Sequence, residues 1–141
     1  MSDATAARTY ASLCIYGDDL DPPELTQLLG IEPTSSKRRG DAIRRGRTAP
    51  RGVWIFTTRD ICDSEDSSVH IAMLSQLTHP QAEALKGLQD RYLLRVFVYW
   101  SLEDGNGGPV IDPQSLGWLA EIGAELHVDL YESAPSQSQP D

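Results

Sequence analysis

The run LLRVFVYW, Leu93–Trp100, is the strongest strand signal in the chain. Its β-branched and aromatic residues favour extended backbone. Side chains that alternate in character with a period of two lie on opposite faces of a sheet. One predicted face carries Leu94, Val96, Val98 and Trp100, and the other carries Leu93, Arg95, Phe97 and Tyr99.

Three other segments show strand character on either side of this run. They are YASLCIY (Tyr10–Tyr16), VWIFTT (Val53–Thr58) and the alternating stretch Ala124–Tyr131. The segments between them have helical spacing and helix-start residues. Ser67 or Ser68 is predicted to cap a helix through Leu77, and a second helical segment ends near Arg91.

The two remaining helices have the same sequence pattern. Asp21-Pro22 is followed by leucines and Gly30, and Asp112-Pro113 is followed by leucines and Gly123. An aspartate N-cap, a proline in the first turn and a glycine after the last turn are typical of helix boundaries. We therefore predict an α+β fold: a ferredoxin-like antiparallel sheet of about four strands, helices on one face and pseudo-symmetric halves. A chance repetition of a good helix opener is the alternative.

Length and composition indicate a single domain. Of the 141 residues, we assign 9–132 to the folded α+β domain, 1–8 to a frayed N-terminus and 133–141 to a disordered tail. The N-terminus lacks the apolar core of a signal peptide, and no apolar run could span a bilayer, so we expect a cytoplasmic protein. Its cysteines, Cys14 and Cys62, are predicted to be free thiols.

The segment KRRGDAIRRGRTAPR, Lys37–Arg51, is strongly basic although the chain as a whole is acidic. It carries about +6, whereas the formal net charge of the whole chain is −9. Its glycines and proline indicate a long loop. A solvated loop folded back on the protein's own acidic surface, a protein or anion contact and a nucleic-acid contact are all compatible with this pattern.

Several segments resemble an uncharacterised bacterial family, the domain-of-unknown-function family 4279. They are GDDLDPPELTQLLGIEPT (17–34), the KRRGD segment, GVWIF (52–56) and HVDLYE (127–132). The resemblance covers about residues 9–132 and implies an α+β domain in bacteria. It implies no established activity, cofactor or catalytic residue. The density of arginines in Lys37–Arg51 departs from the family pattern, and the association of such domains with toxin–immunity loci is loose.

No sequence pattern indicates catalysis. The chain lacks the zinc-protease, nucleophile-elbow, CxxC, phosphate-loop and dinucleotide motifs. His70, His79 and His127 are predicted to be structural or surface residues. Loop breaking and helix capping account for Asp18, Asp19 and Asp21 without a cation. We therefore predict a non-enzymatic protein with no catalytic residues, no metal and no cofactor.

Two surfaces are the binding candidates. The first is the basic loop, whose partner- or anion-binding candidates are Lys37, Arg38, Arg39, Arg44, Arg45, Arg47 and Trp54. The second is the sheet face turned away from the helices, where alternation places Tyr10, Tyr16, Arg95, Phe97, Tyr99, His127 and Tyr131. Aromatic residues on an open sheet can stack bases, but such a face is also typical of a homodimer interface.

The predicted function is a protein-binding module, immunity-like or regulatory, whose basic loop contacts an acidic partner. In this hypothesis Trp54 anchors the base of the loop. The alternative is a nucleic-acid-binding domain that uses the arginine loop and the aromatic sheet face. The net acidic charge makes nucleic acid the less favoured partner, and a membrane partner is not expected.

Overall fold

The computed structural model describes residues 9–102 and 107–131. In these ranges the chain forms five strands and four α-helices, with short 3₁₀ turns between some of them. In chain order they are β1 (Thr9–Gly17), α1 (Pro22–Leu29), β2 (Ser35–Lys37), β3 (Gly52–Thr57), α2 (Ser67–Thr78), α3 (Ala82–Gly87), β4 (Leu93–Ser101), α4 (Pro113–Ile122) and β5 (Ala124–Tyr131).

The strands form one sheet in the order β2-β3-β1-β4-β5. The neighbours β2–β3, β3–β1 and β1–β4 are antiparallel. The pair β4–β5 is parallel, because α4 carries the chain back across the sheet before β5 begins. The α+β class is confirmed. The finer prediction, an antiparallel sheet of about four strands, is not confirmed, since the described residues form five strands in a mixed sheet.

The predicted pseudo-symmetry of the two halves is not confirmed. Both helices of the repeated pattern are present, but their following strands are placed differently. After α1 the chain enters β2, which is separated from β1 by β3. After α4 it enters β5, which lies directly beside β4. The same helix-start pattern therefore occurs in two connections that lead to differently placed strands.

The core lies between the helices and one face of the sheet. The sheet contributes alternate residues of β1 and β4 together with Trp54 of β3. Each helix adds a few apolar side chains, among them Leu25 of α1, Ile71 of α2, Leu85 of α3 and Leu119 of α4. The sheet residues of this apolar cluster share one face, and the helices pack against that face. The sheet residues of the hydrophobic core are Ala11, Leu13, Ile15, Trp54, Leu94, Val96 and Val98.

The ends of α1 and α4 follow the sequence pattern with one difference. Gly30 and Gly123 end the helices in the left-handed conformation, with φ of 74° and 72°, which favours glycine. The Asp112 carboxylate accepts a 2.8 Å hydrogen bond from Ser115 N. Asp21 has the extended backbone of an N-cap but makes no side-chain capping bond.

Helix α2 begins one or two residues earlier than predicted, because neither Ser67 nor Ser68 is its N-cap. Its N-cap is Asp66, whose carboxylate accepts a hydrogen bond from Ser68 N. The Ser68 hydroxyl donates to Val110 O and accepts from Asp112 N, each at 2.9 Å. Ser68 therefore joins the start of α2 to the start of α4 rather than capping a helix.

The outer limits of the predicted domain are not covered by the structure. The predicted frayed N-terminus (1–8) and the predicted tail (133–141) lie outside the described residues, as do residues 103–106 and 132. Within the described part of the chain, no helix is both long enough and apolar enough to cross a membrane.

Candidate functional site

The basic segment forms an irregular hairpin, which we call the basic hairpin (Lys37–Arg51). It continues β2 and leads into β3. Backbone bonds close it from Gly40 N to Ala49 O (2.9 Å), from Ala49 N to Asp41 O (2.8 Å) and from Ile43 N to Arg47 O (2.9 Å). Ala49 is buried. The predicted long loop therefore has a defined backbone, held at several points along its length.

Two arginines of the basic hairpin pair with the domain's own acids. The Arg38 guanidinium contacts the Asp21 carboxylate, which explains why Asp21 does not cap α1. Arg39 lies 3.8 Å from the Asp18 carboxylate. All four side chains are largely exposed, so each pair contributes little to stability. Their effect is to orient the hairpin against the start of α1.

The other cations of the basic hairpin lie farther along it. Lys37, Arg44 and Arg47 line a shallow hollow together with the apolar side chain of Ile43. Arg45 lies in the turn at the tip and has a φ of 62°, a conformation that non-glycine residues rarely adopt. The hollow thus combines three positive side chains with one apolar contact on a hydrogen-bonded backbone.

Trp54 lies in the core, which removes it from the partner-contact candidates but leaves it able to anchor the base of the basic hairpin. It is 0% exposed within the core, and its indole N–H donates to Thr26 Oγ1 of α1 at 3.1 Å. A partner cannot contact this ring while the domain is folded. Trp54 fixes β3, and with it the C-terminal base of the basic hairpin, against α1.

The open side of the sheet carries the second candidate set, which we call the aromatic face. The strand register places all seven predicted residues on it. Tyr10 stacks on Tyr99 with ring centroids 4.3 Å apart, and Phe97 stacks on His127 at 4.8 Å. The Tyr99 and Phe97 rings lie 6.2 Å apart, so the four rings form a continuous row across β1, β4 and β5.

Charged groups lie beside this row. Arg95 donates to the Glu125 carboxylate at 2.9 Å, and His127 Nε2 lies 2.9 Å from the same oxygen. These two hydrogen bonds, that of His127 first, hold the pKa of Glu125 below its usual range. Arg59 lies over the Tyr10 ring at 5.5 Å. The sequence prediction omitted Glu125 and Arg59, although alternation places Glu125 on the same face as His127.

Packing on the aromatic face removes solvent from its polar atoms. Burial raises the pKa of Tyr16 to about 12, with Cys14 as a smaller cause. Burial also raises the pKa of Tyr99 and, less strongly, those of Tyr10 and Tyr131. These phenols therefore stay neutral to a higher pH than exposed tyrosines do.

The two candidate surfaces meet at Tyr16. The Arg51 guanidinium lies 4.5 Å from the centre of the Tyr16 ring, and Arg95 lies 5.2 Å from it. Arg51 ends the basic hairpin and Arg95 belongs to β4. Cation–π contacts of this kind are attractive, so Tyr16 connects the base of the hairpin to the aromatic face. The sequence did not indicate this contact, because residues 16, 51 and 95 are far apart in the chain.

Cys14 is expected to be unreactive towards thiol reagents in the folded protein. It is 3% exposed, and burial raises its pKa to about 11. At pH 8 it therefore holds less of the reactive thiolate than an ordinary cysteine does. Titration with an aromatic disulfide at pH 8 measures the accessible cysteines, because each one that reacts displaces one aromatic thiol from the reagent. The native protein should react with one equivalent, through Cys62, and the protein in denaturant with two. Two rapid equivalents from the native protein, or one rapid equivalent from a Cys62→Ser variant, would contradict this burial.

The remaining histidines and acids do not assemble into a metal site in the described residues, where no three potential ligands converge. His70 is fully buried, with Nδ1 2.6 Å from Thr58 Oγ1 and Nε2 2.8 Å from Ser64 O. Both ring nitrogens thus contact protein groups of the domain interior.

Comparison with known proteins gives a family but no activity. A family model described as a domain of unknown function, DUF4279, matches residues 7–133. The chain belongs to the DUF4279 family. The resemblance noted from the sequence is thereby confirmed, and the match spans all of the residues that the structure describes. No curated protein and no solved structure matches the chain significantly.

Proposed function

We propose that this DUF4279 domain is a non-enzymatic module that binds an acidic protein partner through its basic hairpin. The observation that carries the proposal is the hollow lined by Lys37, Ile43, Arg44 and Arg47. Positive side chains around an apolar contact suit an acidic segment that also presents an apolar side chain. An immunity-like or regulatory role is compatible with such binding.

The arginines of the hairpin have two different positions, which supports two different roles. Arg38 and Arg39 face Asp21 and Asp18, so they orient the hairpin. Arg44 and Arg47 line the hollow farther along the hairpin. A hydrogen-bonded hairpin loses less conformational freedom on binding than a flexible loop does. Complementary charge would accelerate association and make it sensitive to salt.

Reversing the charge of the two arginines of the hollow is expected to reduce the amount of captured partner at least tenfold. Arg44→Glu/Arg47→Glu puts negative charge where the acidic partner binds and leaves the Arg38 and Arg39 pairs intact. The measurement is capture from a lysate of the source cells by the immobilised domain, with half of the lysate treated with nuclease. Circular dichroism should show that the variant is folded.

The matched control is Lys86→Glu/Arg91→Glu, which makes the same change in net charge on exposed residues outside the hairpin. The control should retain the nuclease-resistant protein captured by the native domain. Equal capture by native domain and Arg44→Glu/Arg47→Glu would remove the hairpin from the interface. Loss of capture in both variants would show a dependence on net charge alone.

Nucleic acid is the second candidate, favoured by the juxtaposition of Tyr16 with Arg51 and Arg95. Aromatic rings beside arginines are typical of single-strand binding. Glu125 and Asp129 on the same face would repel phosphates. Recovery of nucleic acid from the untreated half alone, with affinity that falls steeply with salt, would favour this candidate over an acidic protein.

We also infer a relation between the fold and these surfaces. The antiparallel neighbours β2-β3-β1-β4, with α1 and α2 on one side, correspond to a ferredoxin-like unit that α4 and β5 extend. Such a unit leaves one sheet face open, and the aromatic face lies there.

A further inference from the structure

Strand β5 (Ala124–Tyr131) is an edge strand that lacks the usual protection of edges. Among the described residues it pairs with β4 alone. Natural edges are blocked by short length, charged side chains (above all lysine), proline or bulges. The two acids of β5, Glu125 and Asp129, both lie on the open side of the sheet. The opposite edge, β2, has three residues, ends in Lys37 and continues into the basic hairpin. β5 has eight residues with neither lysine nor proline.

Strand β5 also exposes apolar side chains on the helix side of the sheet, where the helices do not cover them. Leu126, Val128 and Leu130 lie on the side of the sheet that faces the helices. Leu126 packs against the core, but Val128 is 45% and Leu130 is 54% exposed. An apolar row along an open strand edge is characteristic of a pairing surface.

We propose that β5 pairs antiparallel with β5 of a second copy of this chain, about a two-fold axis at Val128, to form one continuous ten-stranded sheet. Under this symmetry Val128 faces its own copy, and Leu126 faces Leu130 of the second copy. On the open side His127 faces Asp129, and Glu125 faces Tyr131. Apolar groups thus meet apolar groups, and each carboxylate meets a hydrogen-bond donor.

The neighbouring registers are less favourable. An axis at His127 places Glu125 opposite Asp129, and an axis at Asp129 places this residue opposite itself. Directly opposed like charges are destabilising in sheets. An axis at Leu126 shortens the pairing and leaves Leu130 without a partner. A slip by one residue joins the apolar side of one copy to the polar side of the other.

This pairing is distinct from the proposed use of the basic hairpin. The axis is perpendicular to the sheet, so the two aromatic faces become one larger surface on the same side. The two hairpins lie at the two far edges, next to β2, and remain accessible. The dimer and the partner contact can therefore be tested separately.

The test is a disulfide at the axis, made in a Cys62→Ser background that leaves buried Cys14 as the only native thiol. Directly opposed residues of antiparallel strands have Cα atoms about 4.5–5.5 Å apart, which suits a disulfide. Val128→Cys should therefore give a covalent dimer on mild oxidation. Leu130→Cys is the matched control, since its two copies lie about 13 Å apart along the paired strands and should remain unlinked.

Sedimentation equilibrium provides the second measurement. The native chain should show twice its 15.5 kDa mass. The Val128→Arg variant places the arginines of the two copies opposite each other at the axis, so it should show the monomer mass. A native monomer at high concentration overturns the proposal. Equal cross-linking of the Val128→Cys and Leu130→Cys variants overturns the register.

Discussion

Replacing Trp54 by alanine is expected to lower the free energy of unfolding by about 3–5 kcal/mol, the range found for large aromatic residues in cores. Trp54 is fully buried between β3 and the helices, so its removal leaves a cavity that the sheet cannot close. Its hydrogen bond to Thr26 is lost as well. Because a domain of this size is stable by only about 5–15 kcal/mol, the change removes a large part of the total.

The measurement is urea unfolding followed by far-ultraviolet circular dichroism, since the substitution itself alters tryptophan fluorescence. Thr26→Val separates the hydrogen bond from the packing and should cost about 1 kcal/mol. Val110→Ala, at a side chain that is 75% exposed, should change stability very little. A loss below about 1 kcal/mol for Trp54→Ala would contradict the position of this ring in the core.

The sequence contained the signal that places Trp54 in the core. In VWIFTT the alternation pairs Trp54 with Phe56 on one side of the strand, and Phe56 packs against the core. Proximity to the arginines suggested a contact role instead, but strand periodicity decides which side of the sheet a residue occupies. The same alternation correctly placed Tyr99 and His127 on the aromatic face.

Other features depend on contacts between distant residues, which local patterns do not encode. Asp21 has the sequence context of an N-cap, but Arg38 takes its carboxylate. Strand β2 consists of Ser35, Ser36 and Lys37 and has no apolar residue that would indicate a strand. Its pairing depends on β3 lying beside it.

Strand direction was the other property beyond the reach of local patterns. Alternation identified β5 as a strand but could not show whether it pairs parallel or antiparallel with its neighbour. That depends on the connection, and a helix between adjacent strands produces the parallel arrangement. The repeated Asp-Pro helix opener suggested two equivalent halves, although an opener fixes only where a helix begins.

Replacing His70 by alanine is expected to lower the free energy of unfolding by about 3 kcal/mol, because buried polar partners lose their hydrogen bonds and a cavity forms. Ser64 O can only accept, so the hydrogen lies on Nε2. In the neutral ring Nδ1 then accepts from the Thr58 hydroxyl at 2.6 Å. Thr58 Oγ1 in turn accepts from Ala11 N at 3.0 Å.

This chain of hydrogen bonds links four parts of the fold: strand β1, the end of β3, the loop before α2, and α2 itself. Thr58→Val keeps the shape of the side chain but leaves Ala11 N and His70 Nδ1 without their partner, at a cost of about 2 kcal/mol. Because the two side chains share one network, the double variant should lose about 1–2 kcal/mol less than the sum of the single losses.

Urea unfolding of the two single variants and the double variant measures this coupling. Nitrogen-15 chemical shifts of the His70 ring test the tautomer directly, and Nε2 should carry the hydrogen. A ring protonated at Nδ1 alone, or strictly additive losses, would contradict the network. The control is His79→Ala, at an exposed position beside α2, which should leave stability nearly unchanged. A difference between the two histidines would show that His70 stabilises the domain through its buried position and partners.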